Sequence, residues 1–480
     1  MKLAYLTLLT AIPFFMLVSA CEETSTVSIP ESEQYSAQAD YPINTCSDFS
    51  QPTTPTNAST QPLLIVRIRF EGDPLDSSYT GNPFAYTEFY SDACTWAKKI
   101  FYNDSEGQLN HYFNAVSDNK FHLVPAQENH ENAETYQSLY DGIITVTLGG
   151  NHPNPGASGD FHQKLVEALT LADDYIDFSS FDVSNDGVIH KSDLQIMFLV
   201  AGYESATVDS SYHGVWAHQW CLYGQEGVSA PTLDGITLLS CSGNGYSRFG
   251  ERHRTAGYDA TIGIIAHELG HAVFSLPDLY DTDGSSSGIG NFGLMGGGSW
   301  GYESGENPGH TPIHPTAWTK TEIGWITPTL PTNGQTLTLY ATEQTNYNIA
   351  KVVINSNEYF LAENRSSLGY DKGLYMLSDI SSGSTFQGGI AIWHIDETVT
   401  GSTPNDNENR KKVDLEEANN PGLDNDSHSG QSTNLFWDSN NATFNDSSDP
   451  NSKSNLGVAT NIEITGITDR DVEMDATFNF

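Results

Sequence analysis

The stretch AHELGHAVFSLPDLYDTDG, from Ala266 to Gly284, constrains this chain more than any other. Asp259 is expected to cap a helix that runs through DATIGIIAHELGHAVF to Phe274. Ile262, Ile265, Ala266, Leu269 and Val273 recur at the spacing that buries one helix face. His267 and His271 lie four residues apart, about 40° from each other around the axis, and face the opposite side, toward a cleft. Two imidazoles one turn apart can hold a zinc ion once a third ligand joins them. Zinc lowers the pKa of a bound water to about 7, and a carboxylate alongside takes its proton as the water attacks a carbonyl. Glu268 stands where that general base is needed, without itself ligating, and would return the proton to the leaving amine.

The N-terminus sets the compartment. MKLAYLTLLTAIPFFMLVSAC places Lys2 before an apolar run to Val18 and then small residues, the layout of an export signal and too short for a stable membrane span. Val18-Ser19-Ala20-Cys21 resembles the bacterial lipobox. Residues 1–20 are therefore read as a lipoprotein signal peptide and Cys21 as the acylated residue; a plain signal peptide cut after Ala20 is the alternative. Glu22 suits outer-membrane transport if the cell is Gram-negative, so the expected place is the outer membrane or cell surface, or the medium after release. Of five cysteines, four remain without Cys21, an even number for an oxidising compartment. Cys221 and Cys241 flank turn signals between two strand-like runs and are expected to pair. Cys46 then pairs with Cys94, the alternative for Cys46 being a thiolate that blocks zinc in a latent form.

At 480 residues the chain is too long for one ordinary core and is expected to form two domains. Residues 21–61 are polar and rich in Ser, Thr, Pro and Gln, a tether. The core begins with the strand run PLLIVRIRF, Pro62 to Phe70. Helical periodicity follows over Phe161 to Ile176, and a second strand begins at Leu194. After about Pro328 the pattern turns to short alternating runs, QTLTLYA, IAKVVI, EYFLAEN and GGIAIWHIDE, the language of a β-sandwich. The division is a zinc-site domain over 62–327 and a β-rich domain over 328–480. With 61 acidic against 20 basic residues and a formal charge of −41, binding to nucleic acid or to an anionic membrane by charge is disfavoured. Membrane contact is expected only through the lipid anchor, and the protein is expected to be a monomer.

FDVSNDGVIHKSD, Phe181 to Asp193, follows the spaced-oxygen logic of a calcium loop. Asp182, Ser184 and Asp186 alternate, Gly187 permits the sharp turn, and Asp193 stands where a longer glutamate is usual. The other reading is a solvated acidic turn. Asp281 and Asp283 in DTDG could hold another ion.

HELGH followed by LPDLYD and then by GLMGGGSWG, Gly293 to Gly301, resembles the immune inhibitor A family of secreted zinc metallopeptidases, a metzincin-like group. NDSEGQLNHYF (Asn103 to Phe113) and HPTAWTKTEIGWITP (His314 to Pro328) resemble the stretches before and after its active site. EYFLAENRSSLGYDKGL, GGIAIWHIDE and KKVDLEEAN resemble its C-terminal β-region. The resemblance implies an α+β protein, a metzincin-like zinc metallopeptidase domain followed by a β-sandwich-like domain, acting on extracellular proteins. It makes His267 and His271 zinc ligands, Glu268 the general base and Met295 the apolar floor of a Met-turn. The third ligand departs from the common metzincin form, whose glycine and last ligand would fall at Phe274 and Pro277. With one residue inserted, the aspartate of the PD turn falls at Asp278, and Asp281, Asp283, His310 and His314 are the other candidates. His314, beside a proline, is expected to be merely exposed. Ser275 and Pro277 would supply the bend that ends the helix. The oxyanion donor is unassigned, with Tyr302 the weak candidate. A surface lipoprotein that keeps the fold but binds a protein or matrix ligand without catalysis is the rival function, and the joint presence of Glu268 and both histidines argues against it.

Overall fold

A computed structural model of the chain describes residues 52–72, 89–129, 141–154, 161–208, 212–254, 258–380 and 384–480. The expected signal peptide, Cys21, Cys46 and residues 21–51 of the expected tether lie outside the described residues. Among those described, no helix is long and apolar enough to cross a membrane.

The fold is mixed α and β, built on an eight-stranded sheet. Strand Ser59–Phe70 pairs in parallel with Phe121–Pro125, Ile143–Leu148 and Gln195–Glu204. Gln195–Glu204 pairs in parallel with Tyr246–His253. At that edge His218–Trp220 and Tyr258–Asp259 join antiparallel. Parallel strands with both faces covered read as continuous apolar runs, which is why LLIVRIRF and QIMFLVAGYE show little polar alternation. The two-residue period sorts their side chains. Leu63, Ile65, Met197 and Leu199 enter one core, while Leu64, Val66, Ile68, Ile196, Phe198 and Val200 enter another on the opposite face. Helix His162–Ala172 covers the second core with Leu165, Ala168, Leu169 and Ala172. Helices Ala93–Phe101, Leu109–Ser117 and Ile262–Phe274 cover the first.

The C-terminal runs form two antiparallel sheets. One has the order Ile349–Val353, Glu358–Arg365, Gly389–Asp396, Val413–Leu415; the other has Gln335–Tyr340, Glu473–Asn479, Glu463–Thr465. Their apolar side chains belong to the same core as the Ile262–Phe274 helix. The apolar core is therefore continuous across residue 328, and the C-terminal region can reach the site.

Candidate metal centre

The helix carrying HELGH starts at Ile262, with Thr261 at the N-cap position. Asp259 is not its cap. It lies in the short strand Tyr258–Asp259, where its carboxylate accepts from Ser91 Oγ at 2.6 Å and pairs with Lys99. Ile262, Ile265, Ala266, Leu269 and Ala272 are buried against the sheet. Burial of each large side chain contributes about 1.5–3 kcal/mol. The helix ends at Ser275, whose φ of 57° and ψ of 31° put it in the left-handed region usually held by glycine. Its N–H donates to the carbonyl of His271, the next N–H, of Leu276, donates to that of Gly270, and the chain doubles back.

That reversal brings Asp278 to the histidines. His267 Nε2 and His271 Nε2 each stand 3.1 Å from Asp278 Oδ1 and 3.2 Å from one another. Tetrahedral zinc with bonds of about 2.0–2.2 Å spaces its ligand atoms by roughly 3.3–3.6 Å, slightly wider than this triangle. The far nitrogens fix the tautomers. His267 Nδ1 lies 3.0 Å from the carbonyl of Leu294 and His271 Nδ1 lies 2.6 Å from that of Leu276. A carbonyl only accepts, so both Nδ1 atoms carry hydrogen and the neutral rings present Nε2 lone pairs inward. Two lone pairs and a carboxylate oxygen aimed at one point suit a cation between them. Among the described residues this is the group of His, Cys, Asp or Glu side chains gathered closely enough to hold a metal ion. Without a metal charge the site attracts a proton. Burial alone would lower His267, but the Asp278 hydrogen bond and the charges of Glu268 and Asp278 push it up to about 9.

Residues 162–326 match the family model described as immune inhibitor A peptidase M6, catalytic domain. The match indicates a metallopeptidase over that segment. No curated protein matches the chain.

In the matched segment Glu268 is buried, its Oε2 accepting the Gln219 N–H at 2.7 Å from the edge strand His218–Trp220. Among the described residues Oε1 accepts no hydrogen bond, so it is available to the site. Burial raises this carboxyl above the ordinary range, offset in part by both histidines. The histidine face is more enclosed than the expected cleft, since His267 and Glu268 are both buried. Met295 is buried against the helix between the two histidines. Gly270 allows this, because a Cβ there would stand 2.7 Å from Met295 Sδ.

The other candidate ligands lie apart from the triangle. Asp281 accepts from the backbone N–H groups of Asp283 and Gly284, and His310 pairs with Glu306. His314 is a correction. It is buried, not exposed, and its Nε2 is 2.9 Å from Glu343. Tyr302 packs its ring against Tyr375.

Asp182, Ser184, Asp186 and Asp193 are not drawn into one cluster. Asp182 accepts the N–H of Gly187 and the Ser184 hydroxyl, Asp186 pairs with His190, and Asp193 accepts the His190 N–H. Cys221 and Cys241 form the expected disulfide. Cys94 is disulfide-bonded too, though its expected partner Cys46 lies outside the described residues.

Several site residues carry no sequence signal. The carbonyls of Leu294 and Leu276 orient the imidazoles, but a backbone carbonyl has no residue identity. Gln219 is 49 residues from its partner Glu268. Tyr280 lies two residues beyond Asp278 with its ring 6.1 Å from that of His267. Burial and the charges of Asp278 and Glu268 hold its phenol proton on, well above the usual range. Only its place in LPDLYD hinted at it.

Proposed function

We propose that this metallopeptidase is a zinc endopeptidase, exported and held at the cell surface by acylated Cys21, that cleaves extracellular proteins. The observation that carries the reading is the convergence of His267 Nε2, His271 Nε2 and Asp278 Oδ1 beside Glu268. All three atoms suit zinc in type and spacing. When bound, zinc supplies Lewis-acid polarisation of a carbonyl and makes water a nucleophile near neutral pH. Glu268 then acts as base and acid. Gln219 fixes one carboxylate oxygen, and the other takes a proton from the attacking water and delivers it to the leaving amine. Tyr280, which keeps its proton, replaces Tyr302 as the candidate donor to the developing oxyanion. Its Phe variant should lose turnover with metal content unchanged.

The metzincin-like form of the domain and the β-sandwich form of residues 328–480 belong to the same reading. It is supported by Met295 beneath the helix and by the two antiparallel C-terminal sheets. Calcium on the Asp182–Asp193 loop is supported by the alternating oxygens and by Gly187 at φ 81°.

The test is metal analysis of the purified protein together with casein cleavage, with and without a chelator, alongside Glu268→Gln. The expected result is one zinc per chain, chelator-sensitive cleavage by the wild type, and a zinc-loaded, inactive variant. Folded, zinc-loaded wild type that leaves casein intact overturns the endopeptidase assignment.

A further inference from the structure

The M6 match ends at residue 326, yet the turn that presents Asp278 is held from beyond residue 400. The Asp278 N–H donates to the carbonyl of Ser402 at 3.2 Å. Asn405 is fully buried and spans the junction. Its Nδ2 donates to the carbonyl of Leu279 at 3.0 Å and to that of Val413 at 2.8 Å. Its Oδ1 accepts the N–H groups of Lys412 and Val413 at 3.0 and 3.2 Å. All four hydrogen-bonding positions of the amide are filled. One joins the metal-site turn and three join the C-terminal segment. Asp406 adds a second tie, accepting both the N–H and the hydroxyl of Thr282 at 2.8–2.9 Å.

The tie matters because the turn's other backbone bonds are made by Leu276 and Leu279 and not by Asp278 itself. Leu279 N–H reaches the carbonyl of Met295 at 2.9 Å, and the Ile289 N–H reaches the Leu279 carbonyl at 3.0 Å. Those bonds join Leu279 to the loop beneath the helix. Ser402 and Asn405 join Asp278 and Leu279 to a different part of the chain. The two histidines are fixed by helix geometry and by their Nδ1 contacts. Asp278 has no helix behind it, so its carboxylate is where its turn is held.

We infer that the segment 402–406 completes the metal centre, with Asn405 as a positioning residue that sets the Asp278 carboxylate at bonding distance. This rests on the zinc reading above. Outer supports of a metal ligand typically govern affinity by about 10–100-fold, and a loss in that range is expected when Asn405 is truncated.

The experiment compares full-length wild type, Asn405→Ala and Asn434→Ala. Asn434 is an equally buried amide of the C-terminal region that donates to Glu417, Asn419 and Asn420 and accepts the Gln431 N–H, away from the metal-site turn. Zinc affinity is measured by chelator competition, the visible spectrum of the cobalt-substituted protein reports ligand geometry, and circular dichroism reports folding. Asn405→Ala should bind zinc about 10–100-fold more weakly, with an altered cobalt spectrum, while Asn434→Ala keeps wild-type affinity and spectrum. Equal affinity losses in the two variants would mean general destabilisation and overturn the inference, as would a folded Asn405→Ala with wild-type affinity and spectrum. If Asn405→Ala does not fold, Asp406→Ala carries the test from its half-buried position. A weakened affinity supports the inference and an unchanged one overturns it. Failure of wild type itself to bind zinc would instead remove the zinc reading, so the two failures are distinguishable.

Discussion

Met295 occupies the space that a side chain at Gly270 would fill: a Cβ built on Gly270 lies 2.7 Å from the methionine sulfur. In an exposed helix interior, replacing glycine by alanine stabilises by about 1 kcal/mol. Here the sign should reverse. Met295 is buried and the loop behind it is tied to Leu279 and, through Leu294, to His267. Displacing it is an overpacking change that costs about 1–3 kcal/mol. Gly270→Ala should therefore lower the thermal midpoint, and Gly270→Ala with Met295→Ala should show a favourable coupling in a double-mutant cycle. A Gly270→Ala protein more stable than wild type would contradict the close approach.

Asp278 is proposed as the third ligand from its position beside both histidines, and the alternatives can be tested one at a time. Asp278→Asn keeps the shape of the side chain but removes the charge that both Nε2 atoms face. Its zinc affinity should fall by more than the roughly 10–100-fold of an outer-shell change. Asp281→Asn should bind zinc like wild type, because that carboxylate serves the turn Asp281–Ser285. Dissociation constants from chelator competition separate the variants. If Asp281→Asn loses zinc and Asp278→Asn retains it, the triangle is misassigned.

Arg365 links the C-terminal sheet to the metal-site loop. Its guanidinium binds both Asp371 oxygens at 2.5 and 2.6 Å and donates to the carbonyl of Phe292 at 3.0 Å, all fully buried. Burial alone would raise Asp371, but the Arg365 charge, His314 and the Arg365 hydrogen bonds outweigh it and hold the carboxyl below its usual range. A depressed folded pKa contributes stability that is present above the unfolded value near 3.9 and lost as pH falls toward the folded one. Arg365→Ala leaves a buried carboxylate without its cation and should cost about 3–5 kcal/mol at pH 7. The deficit should shrink as the pH is lowered through 4, where the unpaired acid can protonate. Urea midpoints of both proteins between pH 3 and pH 7 test this, and a deficit constant over that range would contradict it.

What was legible beforehand followed from local pattern. The HELGH helix, the strand runs at 62–70 and 194–204 and the C-terminal alternation are written in spacing, and the structure holds elements there. The Cys221–Cys241 bridge followed from the turn signals between its cysteines. The PD turn pointed to Asp278, but its approach to the histidines depends on the left-handed Ser275 and the reversed chain, which local pattern does not show. Asn405 was hidden, since it is 126 residues from Leu279 and opens a tract crowded with Asn and Asp that has no regular spacing. His314 misled for a related reason. Proline neighbours suggest an exposed loop, whereas Glu343 and the Arg365–Asp371 group draw it inside.

His394 should give the opposite pH response from Asp371. It lies on strand Gly389–Asp396, with Nε2 at 2.9 Å from Glu358 and Nδ1 at 3.2 Å from Glu416. Phe360 packs against its ring, and Asn455 donates its N–H to the same Glu358 oxygen. Burial disfavours its charge, but the Glu416 hydrogen bond and charge, the nearby Asp414 charge and the Glu358 hydrogen bond outweigh that and raise its pKa. A raised folded pKa contributes stability that is fully present below the unfolded value near 6.5 and lost as pH rises through the folded one. His394→Gln removes the charge but keeps a polar side chain. The wild type should exceed it by about 1.5–3 kcal/mol near pH 6, the range for hydrogen bonds to charged groups. That advantage should decline steadily on moving to pH 9. Paired denaturation curves at fixed ionic strength measure it, and an advantage that grows with pH would show that the imidazole is neutral in the folded protein.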